Sequence, residues 1–293
     1  MKNNKNKNYE YLKDKWVKRH QDVTSKIAEK HSSAYKWLNE NSKQLAVGAL
    51  GSIMLATTPM QAAPATQSAP NLPQQEFKIG TKAFMISDLG HALPDEMRPL
   101  TTDEEAKVGE ILSKDYGMNV TAEMNGLRLN RSYGLIGAEQ HLARYPGDTM
   151  ATHFDGNAED AAKYYSSGMA PGLGAWGYFA TSRAAMTEED DQREKYYIAV
   201  QTFLSPDFNN KVAEYRDFYK FRKMLVVNPQ NGKAVVAVIG DAGPAEWTGK
   251  HLGGSPEVMK HLERVDGKAR GPVLYYFIED PNDDIPLGPI EPK

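Results

Sequence analysis

Short apolar runs separated by turn-forming residues dominate the second half of this 293-residue chain. The runs are rich in Val, Ile, Tyr and Phe, which suit the pleated, half-buried surface of a β-strand. Several strands at this spacing predict a sandwich or a small barrel. The predicted strands are 175–181 (AWGYFAT), 196–203 (YYIAVQTF), 223–228 (KMLVVN), 234–240 (AVVAVIG) and 273–279 (VLYYFIE). The fold is therefore predicted to be mainly β from about residue 168 to residue 282.

Turn and helix signals lie between these strands. The segment Asn228–Gly232 reads as a tight connection between two of them. One clear helix is predicted over Ser255–Leu262, because Ser255 suits the N-cap and Pro256 suits the first helical position. The Pro-rich end of the chain predicts an extended tail over 283–293.

A small α+β region of unknown role is predicted over 77–165. Residues 101–116 combine a Thr cap, acidic residues in the first turn and apolar residues at helical spacing, and Gly117 follows as a stop signal. Asn125-Gly126 lies between two short strand-like pieces and predicts a hairpin. A further short helix is expected over 158–166.

The N-terminal residues predict export. Residues 1–44 carry 11 Lys and Arg against 5 Asp and Glu, with apolar residues at helical spacing, which indicates a basic amphipathic leader at a membrane surface or a solvated helix. Residues 45–65 predict an apolar signal or anchor segment, with a buried core helix as the alternative. Its uncharged part, 45–56, would hold the protein at the membrane if the leader stayed uncleaved. Residues 66–76 predict a Pro/Ala/Gln linker.

Composition narrows the function classes. The chain has no Cys, which excludes disulfides, thiolate zinc sites, iron–sulfur clusters and Cys nucleophiles. Residues 45–293 carry a net charge of −9, which argues against nucleic acid as a partner. We expect an exported protein that is extracellular, periplasmic or anchored at the cell envelope.

The most informative stretch is 224–262. It reads as a strand, a tight turn, a strand that ends in Asp241, a Gly-rich loop and a capped helix. A carboxyl group at the end of a buried strand is partly desolvated, which raises its pKa towards that of a general acid. An alternative is that Asp241 accepts hydrogen bonds from amides of its own loop and only holds the turn.

This stretch resembles the double-psi β-barrel domain of rare-lipoprotein-A-like proteins, which expansins and family 45 endoglucanases share. Asn231-Gly232-Lys233, Gly240-Asp241-Ala242-Gly243-Pro244 and Ser255-Pro256-Glu257 fall in the order of the family's pattern. The likeness is close over about 40 residues and looser over 168–282. It implies a six-stranded double-psi barrel, cell-wall polysaccharide as the partner, and Asp241 as the catalytic acid. Ala242 departs from the Arg or Trp that is usual after the Asp.

A glycan-cleaving site needs further groups beside Asp241. Inverting hydrolysis uses two carboxyl groups, whereas a lytic cleavage with the sugar's own hydroxyl as nucleophile needs one acid/base. Aromatic rings stack on sugars, and polar side chains of the same loop complete a binding surface. The candidate second carboxyl groups are Glu139 and Glu246, and the candidate substrate contacts are Trp176, Tyr178, Trp247, Lys250 and His251.

Two other functions compete with peptidoglycan hydrolysis or lytic transglycosylation. The first is a non-catalytic carbohydrate- or peptidoglycan-binding module that uses the same groove. The second is a metal-dependent cell-wall peptidase, because His and carboxylates bind zinc and several of them lie within 17 residues. Its candidate ligands are Glu139, His141, Asp148, His153 and Asp155. The leading interpretation assigns no metal and no other cofactor.

Overall fold

The computed structural model describes residues 75–264 and 270–293. The predicted leader (1–44) and apolar segment (45–65) lie outside these residues, as does nearly all of the predicted linker (66–76). Within the described ranges, no helix is both long enough and apolar enough to cross a membrane.

Helices and short strands alternate along the described residues. The helices are α1 (Gln75–Ala92), α2 (Thr102–Tyr116), α3 (Met150–His153), α4 (Ala158–Tyr164), α5 (Glu188–Lys195), α6 (Val212–Tyr219) and α7 (Pro256–His261). The strands are β1 (Val120–Thr121), β2 (Glu123–Met124), β3 (Leu127–Arg128), β4 (Tyr133–Ala138), β5 (Tyr197–Val200), β6 (Lys223–Asn228), β7 (Lys233–Ala242), β8 (Leu252–Gly254), β9 (Arg270–Ile278) and β10 (Gly288–Ile290).

Six of these strands close into a mixed barrel. Around the ring the order is β4, β8, β5, β7, β6 and β9, and β9 pairs again with β4. The pairs β4/β8 and β5/β7 are parallel, and the other four pairs are antiparallel. The prediction of a mainly β protein with a six-stranded barrel is confirmed. The first barrel strand, β4, lies in the predicted α+β region, so the barrel begins before residue 168.

The barrel has apolar side chains on both sides of its wall. Alternate residues such as Val226, Val235 and Tyr275 fill the inside with the buried faces of α6 and α7. The residues between them, such as Leu225 and Val236, form a second core on the outside beneath α1 and α2. Burial on both faces explains why these strands read as continuous apolar runs instead of alternating ones.

Several local predictions agree with the structure. Thr101 caps α2 with a capping box, and Gly117 ends the helix in the left-handed region. β2 and β3 form the expected hairpin around Asn125-Gly126. Ser255 caps α7 and Pro256 occupies its first turn. The predicted extended tail includes β10, which pairs with β7.

Other local predictions are wrong. Residues 175–181 form a loop and not a strand, because the backbone amides of Ala175, Phe179 and Ala180 donate to acceptors outside any sheet ladder. Helices α5 and α6 interrupt the strands where the sequence predicts one helix only, and β8 occupies part of the predicted Gly-rich loop.

Candidate functional site

A β-bulge turns Asp241 to the outside of the barrel. Ile198 pairs with Ile239 and the next residue of β5, Ala199, pairs with Asp241, so Gly240 is an extra residue in β7. Because side chains alternate along a strand, Asp241 would otherwise share the inward face of Ile239. A Cβ atom at Gly240 would lie 2.6 Å from Tyr197 Cβ. The bulge therefore requires glycine, and it places the carboxyl group at the surface.

One oxygen of Asp241 is fixed and the other is free to react. The amides of Ala175 and Ala242 donate to Oδ1 over 2.6 and 2.7 Å. Within the described residues, Oδ2 has no hydrogen-bond partner. Burial raises the pKa of Asp241, although the two amides act in the opposite direction. A half-buried carboxyl group with a fixed orientation and a raised pKa is suited to act as a general acid.

Glu139 lies on the same side of the barrel wall, just beyond the end of β4. Lys250 Nζ is 2.6 Å from Glu139 Oε1 and 3.1 Å from the Ala138 carbonyl oxygen. The carboxylate lies directly over Gly253, where an added Cβ would be 2.2 Å from Oε1. Gly253 therefore leaves the space that lets Glu139 and Lys250 meet.

The strand register relates Glu139 to Asp241. Gly253 of β8 pairs with Ala199 of β5, which in turn pairs with Asp241 of β7. Two strand spacings separate Gly253 from Asp241, or roughly 10 Å between their Cα atoms. Glu139 and Asp241 therefore lie on the same part of the barrel wall, over two strands that both pair with β5.

Tyr197 lies between Asp241 and Glu139 and contacts a residue next to each of them. Its side chain packs on Gly240, and its hydroxyl donates a hydrogen bond to the Gln140 carbonyl. Burial raises the pKa of Tyr197 well above its usual value, and the charges of Glu139 and Asp241 act in the same direction. The phenol is therefore a neutral, fixed spacer between the two sides of the site.

The predicted aromatic contacts occupy three different environments. Trp176 is half-buried against the barrel core, and its Nε1 donates to the Ile239 carbonyl over 3.0 Å. Tyr178 is 39% exposed and Trp247 is 91% exposed. Trp247 is therefore available to a ligand, whereas Trp176 holds the loop that contacts Asp241.

The loop that carries Trp247 is fixed at its base. The buried Gln201 side-chain amide donates to the carbonyl oxygens of Pro244 and Lys250, over 3.0 and 3.3 Å. Glu246 is exposed at the tip of the same loop, next to Trp247. The two ends of this loop are therefore held together by Gln201.

His251 is engaged inside the fold. Its Nδ1 accepts the Leu135 amide proton over 2.9 Å, and Arg131 Nη1 lies 3.0 Å from its Nε2. Burial and the nearby Arg131 lower the pKa of His251, which agrees with a neutral ring that accepts at Nδ1. This side chain anchors β4 to the loop before β8 and is poorly placed to contact substrate.

A second group of polar residues is buried away from Asp241. His141, His153 and Glu194 place their ligand atoms within 4.8 Å of one another. Burial acts to lower the pKa of His153, but Asp148 and Glu194 raise it to about 9. Burial acts to raise the pKa of Glu194, but the two histidines lower it to about 2.

The other proposed metal ligands do not all join this group. Asp148 contacts His153, with 3.3 Å between Oδ2 and Nδ1. Glu139 is paired with Lys250, and Asp155 forms an exposed ion pair with Arg183. The His and carboxylate residues of 139–155 therefore divide among three places.

Two surface grooves lie elsewhere. One, of about 590 Å³, lies between α5 and residues 283–287, and the other, of about 620 Å³, lies along α2 and β1. Neither is lined by any of the predicted site residues, so neither adds to the surface around Asp241.

The sequence missed Glu194, Tyr197 and Gln201. Glu194 lies in EEDDQREK, where one buried acid cannot be told from its exposed neighbours. Tyr197 and Gln201 lie in and just after β5, where a core position is the ordinary expectation. These two residues could have been recognised only if the pairing of β5 with the strand that carries Asp241 had been known.

No protein-family model and no curated protein matches the chain.

Proposed function

We propose that this chain is an exported, cell-wall-directed enzyme that cleaves the glycan strands of peptidoglycan, with Asp241 as its acid and base. The observation that carries the proposal is the state of this carboxyl group. Oδ1 is held by two amides, burial raises the pKa, and Oδ2 has no partner within the described residues.

The order of the barrel strands supports the double-psi assignment. β8 lies between the consecutive strands β4 and β5, and β5 lies between the consecutive strands β7 and β8. Two interlocked insertions of this kind are what the resemblance to rare-lipoprotein-A-like barrels implies. In that arrangement Asp241 lies near the end of β7, which corresponds to the strand whose end carries the family's acid.

The chemistry follows from one carboxyl group. Protonated Asp241 gives its Oδ2 proton to the glycosidic oxygen as the bond from that oxygen to the anomeric carbon breaks. A hydroxyl of the same sugar then attacks the anomeric carbon and returns its proton to the carboxylate. The enzyme is regenerated without a water molecule. We favour this lytic route over hydrolysis because Glu139 is paired with Lys250, whereas Asp241 Oδ2 has no partner among the described residues and a lytic cleavage needs only one acid/base.

The test compares the purified protein with Asp241→Asn on peptidoglycan sacculi. We expect the wild-type protein to release soluble fragments whose new ends are one water lighter than hydrolytic ends. Asp241→Asn keeps the side-chain volume but removes the acid, and its rate should fall at least about 100-fold. Mass spectrometry of the fragments measures both outcomes.

Asp207→Asn is the matched control. Asp207 has a left-handed backbone conformation, which Asn tolerates equally well, and it lies outside the site. Its activity should equal that of the wild-type protein. Equal release by the wild-type protein and Asp241→Asn, or release by neither, removes the catalytic assignment. Hydrolytic ends together with loss of activity in Glu139→Gln would replace the lytic route by two-carboxyl hydrolysis.

A binding module without catalysis is the second candidate, and the exposed Trp247 favours it. A large aromatic side chain that is 91% exposed on a loop with a fixed base is the arrangement that sugar stacking requires. In this case Trp247→Ala weakens sedimentation with sacculi at least about tenfold, whereas Asp241→Asn binds normally and neither protein releases fragments. Unchanged sedimentation of Trp247→Ala contradicts it.

A further inference from the structure

The buried group around His141 has an unusual feature that the Asp241 site does not explain. His141 is 0% exposed, and neither of its ring nitrogens makes a hydrogen bond to any described residue. Glu194 Oε1 lies 3.4 Å from His141 Nδ1, but the geometry is not that of a hydrogen bond. Leaving a buried polar group unpaired destabilises a folded protein, so a missing partner is the simplest explanation.

The neighbouring side chains present the donors that a transition metal needs. His153 Nε2 lies 3.0 Å from Glu194 Oε2, and the two imidazole centroids are 4.6 Å apart. Ligands about 2.1 Å from a tetrahedral zinc ion are roughly 3.4 Å from one another. The ligand atoms lie within 4.8 Å of one another, so the widest pair would close by about 1.4 Å around an ion, while His153 and Glu194 are already close enough.

A carboxylate already orients the His153 ring from its other side. Asp148 Oδ2 is 3.3 Å from His153 Nδ1, on the side of the ring opposite to Glu194. Arg144 Nε holds the same Asp148 oxygen over 2.9 Å. A carboxylate that orients a ligating imidazole through its other nitrogen is the usual support of a metal site.

We propose that His141, His153 and Glu194 bind one divalent transition-metal ion, zinc or a similar ion. Two imidazoles and a carboxylate are the donor set that suits such ions, and no thiolate is available. The three ligands come from the segment after β4, from the end of α3 and from α5. The ion therefore ties these three segments together.

The burial of the ligands assigns this ion a structural role. The side chains of His141, His153 and Glu194 are 0%, 5% and 2% exposed. Three protein ligands leave a tetrahedral ion one further position, but the burial of the ligands places that position away from bulk solvent and from a large substrate. The proposed ion takes no part in the glycan chemistry proposed for Asp241, so absence of the ion would leave that proposal standing.

The test uses the full chain without an affinity tag that binds metals. The protein is stripped with a chelator, titrated with Zn²⁺ and analysed by inductively coupled plasma mass spectrometry after desalting. We expect one Zn²⁺ per chain and a rise in Tm of roughly 5 °C or more. Titration with Co²⁺ should give the visible absorption of a four- or five-coordinate site with nitrogen and oxygen donors.

Variants locate the ion. Glu194→Gln keeps the side-chain volume and an oxygen for the Leu142 amide, and it should weaken Zn²⁺ binding at least tenfold, as should His141→Ala. His91→Ala, on the exposed end of α1, should bind one Zn²⁺ normally. Absence of stoichiometric binding to the wild-type chain, or unchanged binding by Glu194→Gln, overturns the proposal. If His141→Ala fails to fold, these two measurements still decide it.

Discussion

Glu257 shows how a single residue can make stability depend on pH. It lies in the first turn of α7 and is 6% exposed, and its Oε2 is buried without a hydrogen-bond partner among the described residues. Burial, helped by the charge of Glu194, raises the pKa of Glu257 to about 8. In the unfolded chain the group has an ordinary pKa of about 4.3. Between these values the folded state binds more protons, so stability falls as the pH rises.

We therefore expect Glu257→Gln to stabilise the protein at pH 8. The variant removes the cost of keeping this carboxyl group protonated or of ionising it inside the fold, which amounts to about 1 kcal/mol or more. Near pH 4 the gain should almost vanish, because the carboxyl group is then protonated in the folded state and mostly protonated in the unfolded chain. Urea unfolding at the two pH values measures the difference.

Glu110→Gln provides the comparison, because Glu110 is exposed on α2. It should leave the free energy of unfolding nearly unchanged at both pH values. A Glu257→Gln variant with the same pH dependence as the wild-type protein would show that Glu257 titrates normally.

Three of the predicted site residues show which features of the site could be predicted from the sequence and which could not. Asp241 could be singled out because a strand-end carboxylate between two glycines stands out from its neighbours. Glu139 was also named, but its partner Lys250 could not be assigned, because the two residues meet only through the pairing of β4 with β8. His251 is a residue type that often binds ligands, but here its side chain accepts a hydrogen bond from the Leu135 amide of β4.

At the scale of elements, the loop between β7 and β8 depends on one side chain outside it. The Gln201 amide joins the two ends of the loop through the Pro244 and Lys250 carbonyl oxygens. We expect Gln201→Ala to destabilise the protein by about 1–3 kcal/mol, because two buried acceptors lose their donor. Hydrogen exchange should accelerate in residues 244–250 well before the barrel strands exchange.

Gln192→Ala is a suitable reference for this loop effect, since Gln192 lies on α5 and away from the loop. It should not change exchange in 244–250. Equal exchange in Gln201→Ala and the wild-type protein would mean that other contacts hold the loop.

Elements were predictable where local signals and packing agreed. The caps of α2 and α7 and the Asn-Gly turns identified those helices and hairpins. Helix α5 was missed because EEDDQREK has no apolar period, although Thr187 offers a cap and the acidic first turn and basic last turn suit a helix. Strand β8 has three residues, two of them glycine, and is a strand because β4 and β5 pair with it on either side. The segment 175–181 has the composition of a strand but packs as a loop.

At the scale of the whole molecule, the barrel depends on its helical cover. Helix α2 buries Leu112 completely in the outer core, and the Tyr276 hydroxyl of β9 donates to the Glu105 carbonyl of the same helix over 3.2 Å. We expect Leu112→Ala to cost about 2–5 kcal/mol through the cavity it leaves. Helix and barrel should still unfold in one transition, as monitored by far-UV and near-UV circular dichroism.

Ala106→Gly, on the exposed face of α2, separates helix propensity from packing. It should cost about 1 kcal/mol. If Leu112→Ala melted α2 and left the near-UV signal of the barrel intact, the cover and the barrel would be independent units.

The sequence predicted the class of the whole fold but not its extent. Apolar runs with turns between them predicted a sandwich or a small barrel, and the likeness over 224–262 implied a six-stranded barrel. That β4 belongs to the ring, and that α1 and α2 cover its outside, depends on pairings between residues far apart in the chain. Such pairings leave no local trace in one sequence.

The position of β4 in the ring also governs how the chain folds. The earliest of the six strands is hydrogen-bonded on both sides to the two latest ones, β8 and β9. The ring therefore cannot form until almost the entire barrel sequence has emerged. Native structures dominated by such distant pairings form slowly, typically in milliseconds to seconds. Until the last strand docks, the open polypeptide is exposed to aggregation and proteolysis.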